Sequence, residues 1–195
     1  MPPVKLNFKM YQGSTFSEVL RWESSKKVYK AITNITQAAP VVITCGGHSI
    51  PDGWRFKTTN IGGMTELNSD TTYHTATVLT PDTIEINSIN SIGYKPYTTG
   101  GIIEFNEPVN LAGFTARMQL RAKLEDTSTL AEYNTENTGI IINPVASTIQ
   151  IIVDASTTAG YNFSSAVYSL ELISPDGIVN TIITGNISLI KEVTR

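Results

Sequence analysis

Cysteine is almost missing from this chain. Cys45 is the single thiol in 195 residues, which excludes an internal disulfide framework and fits a reducing folding compartment. Long apolar runs are missing too: none approaches the roughly 20 residues that a membrane-spanning helix needs, and Met1 to Met10 has no apolar core of signal-peptide length. Neither a membrane partner nor secretion is expected. Charge is sparse at 16% and sums to −3, so the basic field that drives binding to a phosphate backbone is absent and direct contact with nucleic acid is not expected. Alanine, glutamate and lysine are few for a chain of this length, and helix should be minor.

What fills the chain instead is isoleucine, valine and threonine, whose branched side chains suit a pleated, half-buried surface. The fold class read from this is all-β. Leu6 to Tyr11 and Thr15 to Trp22 are strand candidates around a turn at Gln12-Gly13-Ser14, with Phe16, Glu18, Leu20 and Trp22 on one face. Ser24-Ser25-Lys26-Lys27 reads as a polar turn before an extended piece from Val28 to Ile35. Val41 to Cys45, Trp54 to Ile61, Tyr73 to Leu79 and Thr83 to Asn87 follow as strands, punctuated by Gly46-Gly47, Pro51-Asp52-Gly53, Gly62-Gly63 and Thr80-Pro81-Asp82.

The clearest strand is Phe114 to Arg121, where Phe114, Ala116, Met118 and Leu120 alternate with Thr115, Arg117, Gln119 and Arg121. Leu124 to Asn137 is polar, with room for a short helical turn. Ile140 to Asn143, Thr148 to Val153, Ala166 to Ile173, Val179 to Thr184 and Ile187 to Ile190 supply the remaining strands, with hairpin chemistry at Pro175-Asp176-Gly177 and at Gly185-Asn186. Breaker residues at Ala39-Pro40 and Gly100-Gly101 suggest two domains. Residues 1–38 and 102–195 would form a discontinuous outer β-sandwich of immunoglobulin-like size, and residues 39–101 an inserted small β-barrel-like module.

Candidate chemistry is thin. Cys45, His48 and Asp52 have a spacing that supplies three metal ligands, but a structural zinc site takes four and no second Cys/His pair exists. Cys45 with His48 or His74 would make a nucleophile and base, yet a cysteine ending an apolar strand is more often an inert buried thiol. The glycine pairs at 46–47, 62–63 and 100–101 lack the Lys-Ser/Thr of a phosphate loop and read as turns. Tyr94, Tyr97 and Trp54 would suit a sugar-stacking platform, against the commoner role of aromatics as core residues. Sequons at Asn34, Asn162 and Asn186 matter only on a eukaryotic secretory route. No catalytic, cofactor or metal residue is assigned, and an enzyme is not expected.

Gln12-Gly13-Ser14-Thr15-Phe16, Leu20-Arg21-Trp22, Thr115 to Arg121, Val167-Tyr168-Ser169-Leu170-Glu171, Asp176-Gly177 and Gly185 resemble the β-sandwich domain of tailed-bacteriophage collar and long-tail-fibre attachment proteins. Ala39 to Thr44, His48, Asp52-Gly53, Gly62-Gly63-Met64-Thr65-Glu66-Leu67-Asn68, Tyr94 and Tyr97 to Gly101 are similar to a module of phage structural proteins labelled as related to the first catalytic-cysteine half-domain of ubiquitin-activating enzymes. The label implies no ubiquitin chemistry here, because no adenylation domain accompanies it. The resemblance implies a virion structural protein of the neck, collar or tail, homo-oligomeric on the particle. Its implied partners are neck or tail platform proteins and fibres, and it implies no cofactor. The alternative is a carbohydrate-binding accessory module of a phage tail or baseplate.

Overall fold

The computed structural model describes residues 2–193. Chain order begins with β1 (Val4–Lys5), β2 (Phe8–Tyr11) and β3 (Phe16–Arg21). It continues through β4 (Glu23–Ala31), β5 (Asn34–Ile35), β6 (Val41–Thr44), β7 (Arg55–Gly62), β8 (His74–Thr75), β9 (Thr77–Thr80), β10 (Thr83–Ile86) and β11 (Thr99–Pro108). It closes with β12 (Thr115–Arg121), β13 (Ala131–Asn134), β14 (Ile140–Asn143), β15 (Thr148–Val153), β16 (Ser165–Ile173) and β17 (Val179–Ile190). Among the described residues helix is confined to α1 (Ala155–Ala159) and one 3-10 turn, Thr65–Leu67. The fold is all-β.

Two compact units divide the chain. The first holds residues 2–21, 111–144 and 148–193, and the second holds 22–110 with 145–147. The division therefore falls at Arg21/Trp22 and Asn110/Leu111, not at the breaker residues near 39 and 101. The reason is one long strand: β11 runs straight through Gly100-Gly101 and pairs with β4 on one side and β7 on the other, so β4 and all of β11 belong with the inserted residues. Ser24 to Lys27 is likewise strand and not turn. Its polarity reflects a bulged outer strand, in which Lys27 pairs with Asn106 while Glu23 pairs with Pro108.

In the first unit, a six-stranded sheet in the order β1-β17-β16-β12-β13, with β2 also on β17, is joined by a three-stranded sheet, β14-β15-β3. Phe8 of β2 and Phe16 of β3 meet edge to face with centroids 5.5 Å apart, tying one sheet to the other. Alternation in β12 is as the sequence implies, with Ala116, Met118 and Leu120 buried. Phe114 falls outside the strand and is only half-buried. The segment from Leu124 to Asn137, with room for a short helical turn, holds the strand β13 instead, in which Tyr133 is buried and anchors it. Val179 to Ile190 is a single strand with no hairpin at Gly185-Asn186. Gly185 is needed for a different reason: the N-terminal strands run parallel to β17, and the Leu6 carbonyl stands where a side chain at 185 would be.

The second unit is built from two four-stranded sheets, β5-β6-β10-β9 and β4-β11-β7-β8, paired antiparallel throughout. Val41, Ile43, Ile84 and Ile86 from one sheet share a core with Phe56, Ile61, Ile103 and Phe105 from the other, capped by Trp54, Met64 and Leu67. Each such side chain contributes roughly 1.5 to 3 kcal/mol on burial. No closed barrel forms among the described residues; the barrel-like expectation is replaced by two open sheets.

Candidate functional site

The Gly62 to Asn68 run, the most distinctive stretch of the sequence, is a tightly closed turn. Gly63 has a φ of +82°, and a Cβ there would collide with the carbonyl of Pro96. Met64 and Leu67 are buried beneath it. Asn68 clamps the end of β7, its Oδ1 accepting from the Ile61 N–H at 2.9 Å and its Nδ2 donating to the Ile61 carbonyl at 3.0 Å. Thr58 donates its hydroxyl to the Leu67 carbonyl, and Glu66 accepts from the Lys95 N–H at 3.3 Å. The run is thus folded against residues 95–99 on one side and the end of β7 on the other. It offers no open side-chain constellation.

The metal and nucleophile candidates are similarly occupied. Cys45 is fully buried and burial pushes its thiol pKa up, away from a reactive thiolate. His48 is also buried: its Nδ1 accepts from the Ile50 N–H at 3.0 Å, so Nε2 carries the proton and donates to the Thr80 carbonyl at 3.0 Å. Asp52 accepts from the Val78 N–H at 2.9 Å, holding the neighbouring turn to β9. His74 lies on β8 against Phe56, ring centroids 5.7 Å apart, and is not paired with Cys45. Among the described residues no three His, Cys, Asp or Glu side chains gather as a metal site.

The aromatic platform does not assemble. Trp54 is fully buried and donates its indole N–H to the Asn106 carbonyl at 3.0 Å. Tyr97 donates its hydroxyl to the Gly100 carbonyl at 2.9 Å, and both Tyr94 and Tyr97 pack against the core of the second unit.

Two features escape a reading by local pattern. On the outward face of the sheet β4-β11-β7-β8, Arg55 forks onto Glu23 with contacts of 2.8 and 2.7 Å. Tyr73 lies beneath two cations, Arg55 at 4.8 Å and Lys57 at 4.7 Å from its ring centroid. In sequence these residues are up to 50 positions apart, and only strand register brings them together. The second is a cleft of about 430 Å³ in the first unit, lined by Glu132, Tyr133, Asn137, Ile141, Asp154 and Thr157 among others. Tyr133 beside it bonds to the hydroxyl of Tyr161, and burial pushes both phenols above their usual range.

Surface, strand edges and the cleft of the first unit remain open to a partner. The class this defines is an all-β protein of two units, one of them discontinuous in sequence, in which Cys45 is buried and His48 and Asp52 are held by internal bonds. Scanned against protein-family models and searched against curated proteins, the chain matches none.

Proposed function

We propose that this chain is a non-enzymatic structural protein of a tailed-bacteriophage virion, at the neck, collar or tail, which docks fibres or whiskers or decorates the particle. The observation that carries the reading is the burial of Cys45 and the commitment of His48 and Asp52 to internal bonds, while the Gly62 to Asn68 run that bears the resemblance is used up in a turn. A chain built this way acts through shape and surface. Several copies on a platform inherit its rotational symmetry, six-fold or a multiple of it, and modest contacts gain strength through effective concentration. The partners are then other virion proteins, and the chain assembles onto the particle in the bacterial cytoplasm. No helix among the described residues is long and apolar enough to cross a membrane.

The test is the particle. Virions made without this chain should assemble heads and tails yet lose fibres, whiskers or decoration, and density for the two units should appear at the neck or tail of intact particles. Particles that retain every appendage without it, or purified virions that do not contain it, would overturn the proposal.

A further inference from the structure

The chain holds two histidines, and their surroundings differ. His48 is buried with both ring nitrogens bonded, one to the Ile50 N–H and one to the Thr80 carbonyl. His74 enters the second unit from β8, its ring against the buried Phe56 with which it pairs in register. One of its nitrogens bonds to the Leu67 carbonyl, while Nε2 is buried with no hydrogen-bond partner among the described residues. A nitrogen that meets a carbonyl must carry the proton of the neutral ring, so Nε2 is where a second proton would go. No acceptor waits for it there.

The charged groups around the ring offer no compensation. On β7, Arg55 and Lys57 alternate with Phe56 and lie on the outward face, over Tyr73. On the 3-10 turn, Glu66 is exposed and accepts from the Lys95 N–H, and Asp70 beyond it is exposed as well. Asp52, before the start of β7, accepts from the Val78 N–H. Burial and the Leu67 carbonyl are what act on His74, with no carboxylate among them. A protonated ring here would be a buried cation short of one hydrogen bond.

The segment that carries His74 is lightly held. Between the buried Leu67 and the buried Ala76, every residue except Ser69 and His74 is exposed. β8 is two residues long and, among the described residues, pairs only with the start of β7, Thr75 with Arg55 and His74 with Phe56. Further ties run one bond at a time, from the Ser69 N–H to the Thr58 carbonyl at 2.9 Å, from the Lys57 ammonium to the Asp70 carbonyl, and from the Ala76 N–H to the Trp54 carbonyl at 2.8 Å. Segments with few buried contacts open locally, ahead of global unfolding.

We propose that residues 69–75 form an acid-released strap: protonation of His74 at Nε2 frees the segment from β7, while the two sheets of the second unit stay paired. The closed strap accepts the neutral ring alone, whereas the open strap puts both nitrogens in water. Opening is therefore favoured increasingly as pH falls below about 6.5, the value of a histidine in water. It uncovers Phe56 and Leu67 and withdraws Tyr73 from Arg55 and Lys57, and neutralisation reverses it. The inference does not rest on the virion proposal.

Amide exchange of the full chain, read residue by residue as protection from about pH 7.5 to about pH 4.5, tests it. In wild type, protection at Ser69 and Ala76 should fall by about tenfold or more over this range, with a midpoint matching the NMR titration of the His74 ring, while Ile43 and Ile84, paired between β6 and β10, keep theirs. His74→Phe keeps a ring beside Phe56 and takes no proton, so its Ser69 and Ala76 should stay protected throughout. Unchanged wild-type protection at Ser69 and Ala76 overturns the proposal, as does a midpoint displaced from the His74 titration. Loss of protection at Ile43 and Ile84 in step with the segment also overturns it, since the whole unit would then be unfolding. So does a folded His74→Phe chain that opens on acidification as wild type does; the wild-type readings decide the matter by themselves if that variant does not fold.

Discussion

The carbonyl oxygen of Leu6 occupies the space that a side chain at Gly185 would need. Tyr168 holds that carbonyl from the next strand, donating its hydroxyl at 2.8 Å, and stacks on Phe8 with centroids 5.3 Å apart. The N-terminal strands are thus seated on β17 at a site only glycine can provide. Gly185→Ala should destabilise the first unit by on the order of 1 to 3 kcal/mol, the usual range for forcing atoms into filled space. Gly93→Ala, where an added Cβ meets nothing within 4 Å, should change stability by no more than about 0.5 kcal/mol. Urea titration of the two variants makes the comparison, and equal midpoints would contradict the seating described.

Leu120 is fully buried in β12 while its neighbour Gln119 faces outward and bonds to Glu132 at 2.6 Å. Truncating Leu120 to alanine should cost about 2 to 5 kcal/mol, combining lost transfer energy with a residual cavity. Gln119→Ala should cost roughly 0.5 kcal/mol. Thermal or denaturant melts that gave the same loss for both would invert the register of this strand.

Asn68 satisfies both polar groups of Ile61. Asn68→Ala should therefore weaken the second unit by about 1 to 3 kcal/mol. Asn68→Asp keeps the acceptor for the Ile61 N–H but turns a carboxylate on the Ile61 carbonyl, and it should not restore wild-type stability. Amide exchange at Ile61 reports the local effect: protection should fall in Asn68→Ala, and unchanged protection there would remove the clamp from the account.

His74 gives the second unit an acid sensitivity. Its Nε2 is buried without a hydrogen-bond partner, and burial holds its pKa below 6.5, opposed only by a bond to the Leu67 carbonyl. The unfolded chain binds a proton near pH 6.5 and the folded chain resists it, so this contribution is fully present above about pH 6.5 and is lost as pH falls through the folded value. The stability difference between wild type and His74→Phe should be constant above about pH 7 and should move against wild type on acidification. A difference flat from pH 7 to pH 5 would mean that His74 titrates normally in the folded state.

Replacing residues 22–110 by a short Gly-Ser linker should leave the first unit with a cooperative melt, since its strands pair only with one another. Excising 39–101 instead removes β6 to β10 and the head of β11, leaving β4 and a stub too small to hold itself. That remnant should be cut rapidly by protease in the second variant while the first unit survives. Loss of β signal in the 22–110 deletion would show that the two units are not independent.

The parts legible in the sequence are those set by local chemistry. Period-two alternation with an anchored interior marks β12, and Pro51-Asp52-Gly53 and Pro175-Asp176-Gly177 form turns as their residue types require. What was not legible depends on partners far along the chain. Ser24 to Lys27 is polar because it lies in an outer strand, and polarity alone reads as a turn. Gly185-Asn186 has hairpin chemistry, but its glycine answers to Leu6, 179 residues away in register. The cations flanking Tyr73 follow from strand register, which no window of sequence contains.

Because β1 and β2 pair, among the described residues, with β17 alone, two early strands of the first unit find their partner in one made much later. On a ribosome, residues 4–11 must wait unpaired until the chain has been made to about Ile190, whereas the second unit has nearly all of its strands in hand once Pro108 has emerged. The inserted unit can therefore be complete while the unit around it is still a set of loose ends. The first unit can close only once β17 has emerged to receive β1 and β2.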